Sequence, residues 1–100
     1  MREWIDMDSL TNLNILVCDD SFTNALLLSK LIDEQIGCSV ITLTDPRKVA
    51  PVVASQPIDL ILLDIEMPHL DGFEVMNMVR EKYEPDQLPI LIITGCEGVD

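Results

Sequence analysis

Three carboxylates and one hydroxyl stand where apolar runs of this sequence stop. Asp19 and Asp20 close the run NILVCDD, Asp64 closes DLILLD, and Thr94 closes LPILIIT. Continuous apolar runs of this length are typical of strands buried on both faces of a parallel sheet, and such sheets bind ligands beyond the carboxyl ends of their strands. If the three runs are neighbouring parallel strands, the four side chains meet in one small volume.

Crowded carboxylates repel one another, and a hard divalent cation such as Mg2+ is the usual means of keeping them ionised. The pattern therefore predicts a metal-assisted site for handling a phosphoryl group. Each residue also has an ordinary structural explanation. Asp19 or Asp20 could cap a helix, Asp64 could be a turn residue at a strand end, and Thr94 could be a β-branched strand residue. Because three acids fall together at the ends of two predicted strands, we favour the metal-assisted site over these structural explanations.

The elements that would position these residues alternate along the chain from Leu13. We predict strands over residues 14–18, 39–43, 59–63 and 89–93, with helices between them. The order βαβαβαβ is typical of an α/β fold with a parallel sheet and right-handed crossovers.

The predicted helices carry recognisable start and stop signals. Ser21 can cap the first, Gly37 can end it, and Asp45-Pro46 can start a short second helix in which Pro51 removes an internal hydrogen bond. The buried stripe of the first is expected at Ala25, Leu28, Ile32 and Ile36. That of the third, which Pro85 would stop, is expected at Val75, Met76, Val79 and Tyr83.

Composition limits the classes of function. The 18 acidic and 6 basic residues give a net charge of -12, which disfavours direct binding to nucleic acid or anionic lipid. No apolar stretch approaches the ~20 residues of a membrane span, and residues 1–12, a mixed N-terminal leader, do not resemble a signal peptide. Cys18, Cys38 and Cys96 form no CxxC motif, so we expect a cytoplasmic protein, with Cys18 a small core residue.

The acidic pair, the string DIEMPHLDG that begins at Asp64, and the strand-ending Thr94 occur in one characteristic order. Together they resemble the receiver domain of two-component response regulators, the CheY-like family, from about Leu13 to Gly95. The resemblance implies a doubly wound, flavodoxin-like parallel sheet with strand order 2-1-3-4 for the strands present. It assigns residues 13–100 to a receiver domain.

The resemblance also implies a role for each site residue. Asp64 would be the phosphoacceptor, taking a phosphoryl group from the phosphohistidine of a histidine kinase or phosphotransfer protein. Asp20, Asp64 and the backbone carbonyl of Glu66 would hold Mg2+, and Asp19 would act through a metal-bound water. Thr94 would be the switch hydroxyl, which hydrogen-bonds the phosphoryl group and moves the following loop. Such a protein is a signalling receiver that catalyses only its own phosphorylation and dephosphorylation.

One part of the family pattern has no counterpart in the sequence. Receivers carry a fifth strand with an essential lysine and two further helices, whereas Lys30, Lys48 and Lys82 all fall in predicted helices. We therefore expect a receiver that is incomplete at its C-terminus, lacking the fifth strand and the last helices. The apolar fourth strand, PILII, would then be an open edge able to pair with another chain, so self-association is expected.

Three functions remain in competition at this point. The first is a phosphoacceptor receiver of a phosphorelay. The second is a receiver that is no longer phosphorylated and acts as a dimerisation or protein-interaction module. The third, a phosphatase resembling the haloacid dehalogenases, needs D-x-D-x-[TV], and this chain has DIEMP from Asp64 onwards. The cognate kinase, the effector domain and the output stay open.

Overall fold

The computed structural model describes residues 13–64 and 72–93. The strands of this part of the chain are β1 (Asn14–Cys18), β2 (Ser39–Leu43), β3 (Leu60–Asp64) and β4 (Ile90–Ile93). The helices are α1 (Phe22–Gln35), α2 (Val49–Ser55) and α3 (Gly72–Arg80), and a 3-10 turn, Pro46–Lys48, leads into α2.

The four strands form one parallel sheet in the order β2-β1-β3-β4. This order confirms the α/β fold class and the 2-1-3-4 topology that the family resemblance implied. The register places Cys18, the last residue of β1, beside Leu43 of β2 and Leu63 of β3. The carboxyl ends of three strands therefore lie side by side at one edge of the sheet.

Both faces of the sheet are buried, because alternate residues of a strand point to opposite sides. On one face, Leu16, Cys18, Ile61 and Leu63 pack with residues of α2 and α3. On the other face, Ile15, Val17 and Leu62 pack with Ala25 of α1 and with Cys38. The central strands β1 and β3 are thus held from both sides, which fixes the position of their ends.

Helix α1 confirms the predicted signals. The Ser21 hydroxyl accepts from the backbone N–H of Asn24 at 3.2 Å, and Gly37 has a φ of 86°, the left-handed conformation that glycine tolerates at the end of a helix. The predicted buried stripe packs against the core, with Ala25 fully buried and Leu28, Ile32 and Ile36 partly buried.

Strands β3 and β4 each begin one residue later than predicted. Asp59, expected in β3, is instead bonded to the start of β1: its carboxylate accepts from the Asn14 N–H at 2.8 Å, and its own N–H donates to the Asn14 carbonyl at 2.8 Å. At the other end β3 extends to Asp64, which pairs with Ile93 of β4. Asp64 is therefore the last residue of its strand.

Two helix predictions needed correction. Pro51 is the third residue of α2, where a backbone N–H has no partner within the helix, so it costs no internal hydrogen bond. Helix α3 ends at Arg80, whose guanidinium donates to the carbonyls of Tyr83 at 3.2 Å and Leu88 at 2.8 Å. The chain continues from Arg80 as a hydrogen-bonded turn, in which the Tyr83 N–H donates to the Val79 carbonyl at 2.9 Å, so Lys82 follows the helix.

No helix within residues 13–64 and 72–93 is long and apolar enough to cross a membrane.

Candidate metal centre

Three of the predicted site residues meet at the carboxyl edge of the sheet. Asp19 and Asp20 follow β1, and Asp64 ends the neighbouring strand β3. One carboxylate oxygen from each lies within 4.8 Å of those of the other two. The three carboxylates lie close together because β1 pairs in parallel with β3. This pairing places the carboxyl ends of the two strands side by side, although the strands are far apart in sequence.

The three carboxylates differ in their access to solvent. The side chains of Asp19 and Asp64 are buried, at 6% and 7% exposure, whereas Asp20 is exposed. A buried carboxylate loses hydration that the protein must replace with hydrogen bonds or a cation. The site is therefore open to solvent on the Asp20 side and enclosed around the other two.

Asp19 is held by hydrogen bonds at both its backbone and its side chain. Its N–H donates to the carbonyl of Leu43 on β2 at 3.0 Å. Its Oδ1 accepts from the backbone N–H of Ser21 at 2.9 Å. Sequence reasoning found Ser21 only as a helix cap. The signal that would have revealed its second contact is the Asx-turn, in which an aspartate side chain bonds the backbone two residues further on.

The surroundings of Asp19 act against its charged form. Burial raises the pKa of its carboxyl, and the neighbouring carboxylates of Asp64 and Asp20 raise the pKa further. The hydrogen bond from the Ser21 N–H lowers it in part. Overall the pKa of Asp19 is raised, as expected for a carboxyl group that is buried beside like charges.

Cys18 is not a ligand of this centre. Burial, followed by the charges of Asp19, Asp45, Asp64 and Asp20, raises the pKa of its thiol to about 12. The thiol is therefore protonated at neutral pH, and its side chain lies in the core beside Leu16 and Leu63. The structure confirms the prediction of a small core residue.

The donor set fits a hard divalent cation. All three groups are carboxylate oxygens, the ligands that Mg2+ prefers. Oxygens on opposite sides of Mg2+ lie about 4 Å apart, since each is about 2 Å from the ion. The three oxygens lie within 4.8 Å of one another, so a small movement of the side chains would bring two of them onto one ion. Asp19, Asp20 and Asp64 are the residues that would hold it, and it would offset the charge that raises the pKa of Asp19.

The remaining two site residues of the sequence prediction, Glu66 and Thr94, lie outside the described residues. Their roles as a carbonyl ligand and as the switch hydroxyl stay predictions.

Comparison with known proteins identifies the family. The family model described as the response regulator receiver domain matches residues 15–100. Because this match covers most of the chain, the protein belongs to the response regulator receiver family.

Individual relatives are consistent with that family. A probable cyclic di-GMP phosphodiesterase of Vibrio cholerae is 34% identical over 92 residues, covering 91% of this chain and 20% of that protein. The CAI-1 autoinducer sensor kinase/phosphatase CqsS of the same organism is 37% identical over 82 residues, covering 81% of this chain and 12% of that protein. The chain thus spans a fifth or less of either relative.

Among solved structures, the response regulator protein TrrA of Thermotoga maritima, in complex with Mg2+ and BeF, has a TM-score of 0.75 and 32% sequence identity. The match covers 82% of this chain and 69% of that one.

The crowding of charge at Asp19 leads to a prediction about stability without metal. In EDTA, Asp19→Asn should raise the free energy of unfolding at pH 7, because it removes a buried like charge and keeps an oxygen for the Ser21 N–H. The folded-state pKa of Asp19 is raised above the value of 3.8 expected when unfolded, so the native state binds more protons. Stability therefore falls as pH rises from about 3.8 towards the raised pKa.

Urea denaturation of both proteins at pH 7 and pH 3 checks this prediction. The stabilisation by Asp19→Asn should be present at pH 7 and absent at pH 3, where the wild-type carboxyl is protonated. Asp86→Asn, in an exposed turn, removes the same charge and should leave stability unchanged within about 0.5 kcal/mol. Equal stabilisation by both substitutions would mean that net charge, and not local crowding, is responsible.

Proposed function

We propose that this chain is a phosphoacceptor receiver of a phosphorelay, which takes a phosphoryl group onto Asp64 with the help of Mg2+. The observation that carries the proposal is the cluster of Asp19, Asp20 and Asp64, with ligand oxygens within 4.8 Å at the carboxyl edge of the sheet. Membership of the receiver family supports it, as does the TrrA structure, which was solved with Mg2+ and BeF. We take residues 13–100 as the receiver unit and residues 1–12 as its leader.

The chemistry at Asp64 is a phosphoryl transfer between two nucleophiles. A carboxylate oxygen of Asp64 attacks phosphorus, a P–O bond forms, and the P–N bond of the phosphohistidine donor breaks. The released imidazole nitrogen takes a proton from solvent. Mg2+, when bound, neutralises charge on the donor and acceptor, which otherwise repel each other.

The residues around Asp64 divide the remaining tasks. Asp20, on the exposed side, and Asp64 would hold the cation directly, and Asp19 would hold it through water. The backbone carbonyl of Glu66 would be a third protein ligand. The Thr94 hydroxyl donates a hydrogen bond to a phosphoryl oxygen. Through this bond the new charge at Asp64 moves the following loop.

The proposed partner is a histidine kinase or phosphotransfer protein of the cytoplasm. One similar sequence lies within the sensor kinase/phosphatase CqsS, where a receiver shares a chain with a kinase. The chain would bind neither nucleic acid nor membrane directly, given its net charge of -12. Apart from its own phosphorylation and dephosphorylation it would catalyse no reaction.

Phosphorylation by a small donor tests the proposal. With acetyl phosphate and Mg2+, the wild-type chain should gain the mass of one phosphoryl group, because attack by Asp64 releases acetate. Peptide mapping after reduction with borohydride should place the modification at Asp64. Asp64→Asn should abolish the adduct, and Asp20→Asn should greatly reduce it because it removes a metal ligand.

Two controls make the result specific. Asp33→Asn, an exposed aspartate of α1, should leave phosphorylation unchanged. Omission of Mg2+ in EDTA should prevent it. An unmodified wild-type chain, or an adduct that persists in Asp64→Asn, would refute the assignment of Asp64.

A second candidate function is an interaction module that self-associates through β4. The observation that favours it is the position of β4 at the edge of the sheet among the described residues. The strand reads Ile-Leu-Ile-Ile, and its Leu91 is 58% exposed. An apolar edge without charge is a template for pairing with another strand.

Sedimentation at several concentrations tests this second function. If β4 pairs between copies, the sedimentation coefficient should rise with concentration, and Leu91→Lys should keep the protein monomeric. Leu31→Lys, at a position of α1 that is 54% exposed, is the matched control and should not change association. Added salt should strengthen pairing, because it screens the repulsion between two copies of charge -12. A concentration-independent monomer would rule out this function.

A further inference from the structure

Ser21 joins the metal centre to the first turn of α1. Its backbone N–H donates to Oδ1 of Asp19 at 2.9 Å. Its hydroxyl accepts from the Asn24 N–H at 3.2 Å, and its carbonyl accepts from the Ala25 N–H at 3.0 Å. One residue thus uses its donor towards the carboxylate cluster and both of its acceptors towards the helix.

These bonds restrict the orientation of the Asp19 carboxylate. The main chain of Asp19 is already attached to β2 through the bond to Leu43, and its side chain is buried. With Oδ1 held by Ser21, rotation of the carboxylate would break a hydrogen bond inside a buried site. The hydroxyl of Ser21, which accepts from the Asn24 N–H, helps to hold the residue at φ -90° and ψ 113° at the start of α1, with its N–H directed at Asp19.

We propose that Ser21 is a positioning residue of the metal centre, which acts through Asp19 and raises the affinity for Mg2+. This inference rests on the proposed function, because it presumes that Asp19, Asp20 and Asp64 bind the cation. Its physical basis is general: groups that hydrogen-bond a metal's carboxylate ligands orient them before the ion arrives, and their loss weakens binding.

Ser21→Gly is the informative variant. Glycine is nearly as good a helix cap as serine, so the fold should persist. Without the hydroxyl, position 21 keeps its carbonyl bond to Ala25 but loses its bond to the Asn24 N–H, so its own N–H is held less firmly towards Asp19. The dissociation constant for Mg2+, measured by calorimetric titration, should rise about tenfold, at the lower end of the range for such partners. Ser21→Thr retains a hydroxyl and should restore binding to within about twofold.

Two further measurements separate positioning from a general effect on stability. Val79→Ala, in the core on α3, should destabilise the fold by leaving a cavity and leave the dissociation constant unchanged. In an Asp19→Ala background, which removes the acceptor of the Ser21 N–H, Ser21→Gly should cause no additional loss of affinity, since the two residues act as one unit.

The outcomes distinguish this inference from the proposed function. If the wild-type chain shows no Mg2+ binding, both fall. If the wild type binds and Ser21→Gly binds equally well, the positioning role is wrong and the metal centre stands. The same conclusion follows if Ser21→Gly weakens binding as much in the Asp19→Ala background as in the wild type.

Discussion

The constraint on which the site depends is the repulsion between carboxylates that the fold forces together. Asp19 and Asp64 are both buried, with ligand oxygens within 4.8 Å of each other. At an effective dielectric constant of about 20, two full charges at this distance repel by about 3 kcal/mol. Burial and, after it, the charges of Asp64 and Asp20 raise the pKa of Asp19, and a bound cation would offset those charges.

The pairing of the strands holds the carboxylates of Asp19 and Asp64 close together. Strands β1 and β3 are packed on both faces, and their register fixes Cys18 beside Leu63. The residues that follow therefore cannot separate without disrupting the core. A site that is repulsive when empty favours a cation that neutralises it.

The sequence predicted the elements of the fold because each depends on local signals. The predicted bounds of β1 and β2 are correct, and the acidic residues at the ends of β1 and β3 marked the site. The strand order came from the family resemblance, since no local pattern specifies which strands become neighbours.

The interactions that the sequence did not predict join residues that are distant in sequence, or give one residue a second role. Nothing in the local pattern reveals that Asp59 bonds Asn14, or that Arg80 binds the carbonyls of Tyr83 and Leu88. The bond from Ser21 to Asp19 was missed for a different reason. Ser21 was already explained as a helix cap, so the Asx-turn that Asp19 makes with its backbone N–H two residues further on was not considered.

Magnesium titration of the folded wild-type chain, followed by nuclear magnetic resonance, tests the central claim most directly. The account predicts that the backbone amide signals of Asp19, Asp20 and Asp64 shift together and saturate with a single dissociation constant. The amides of Asp59 and Asp86, remote acids in the same sample, should stay in place. Unmoved signals at Asp20 and Asp64, or equal shifts at all five aspartates, would contradict a cation held jointly by the ends of β1 and β3.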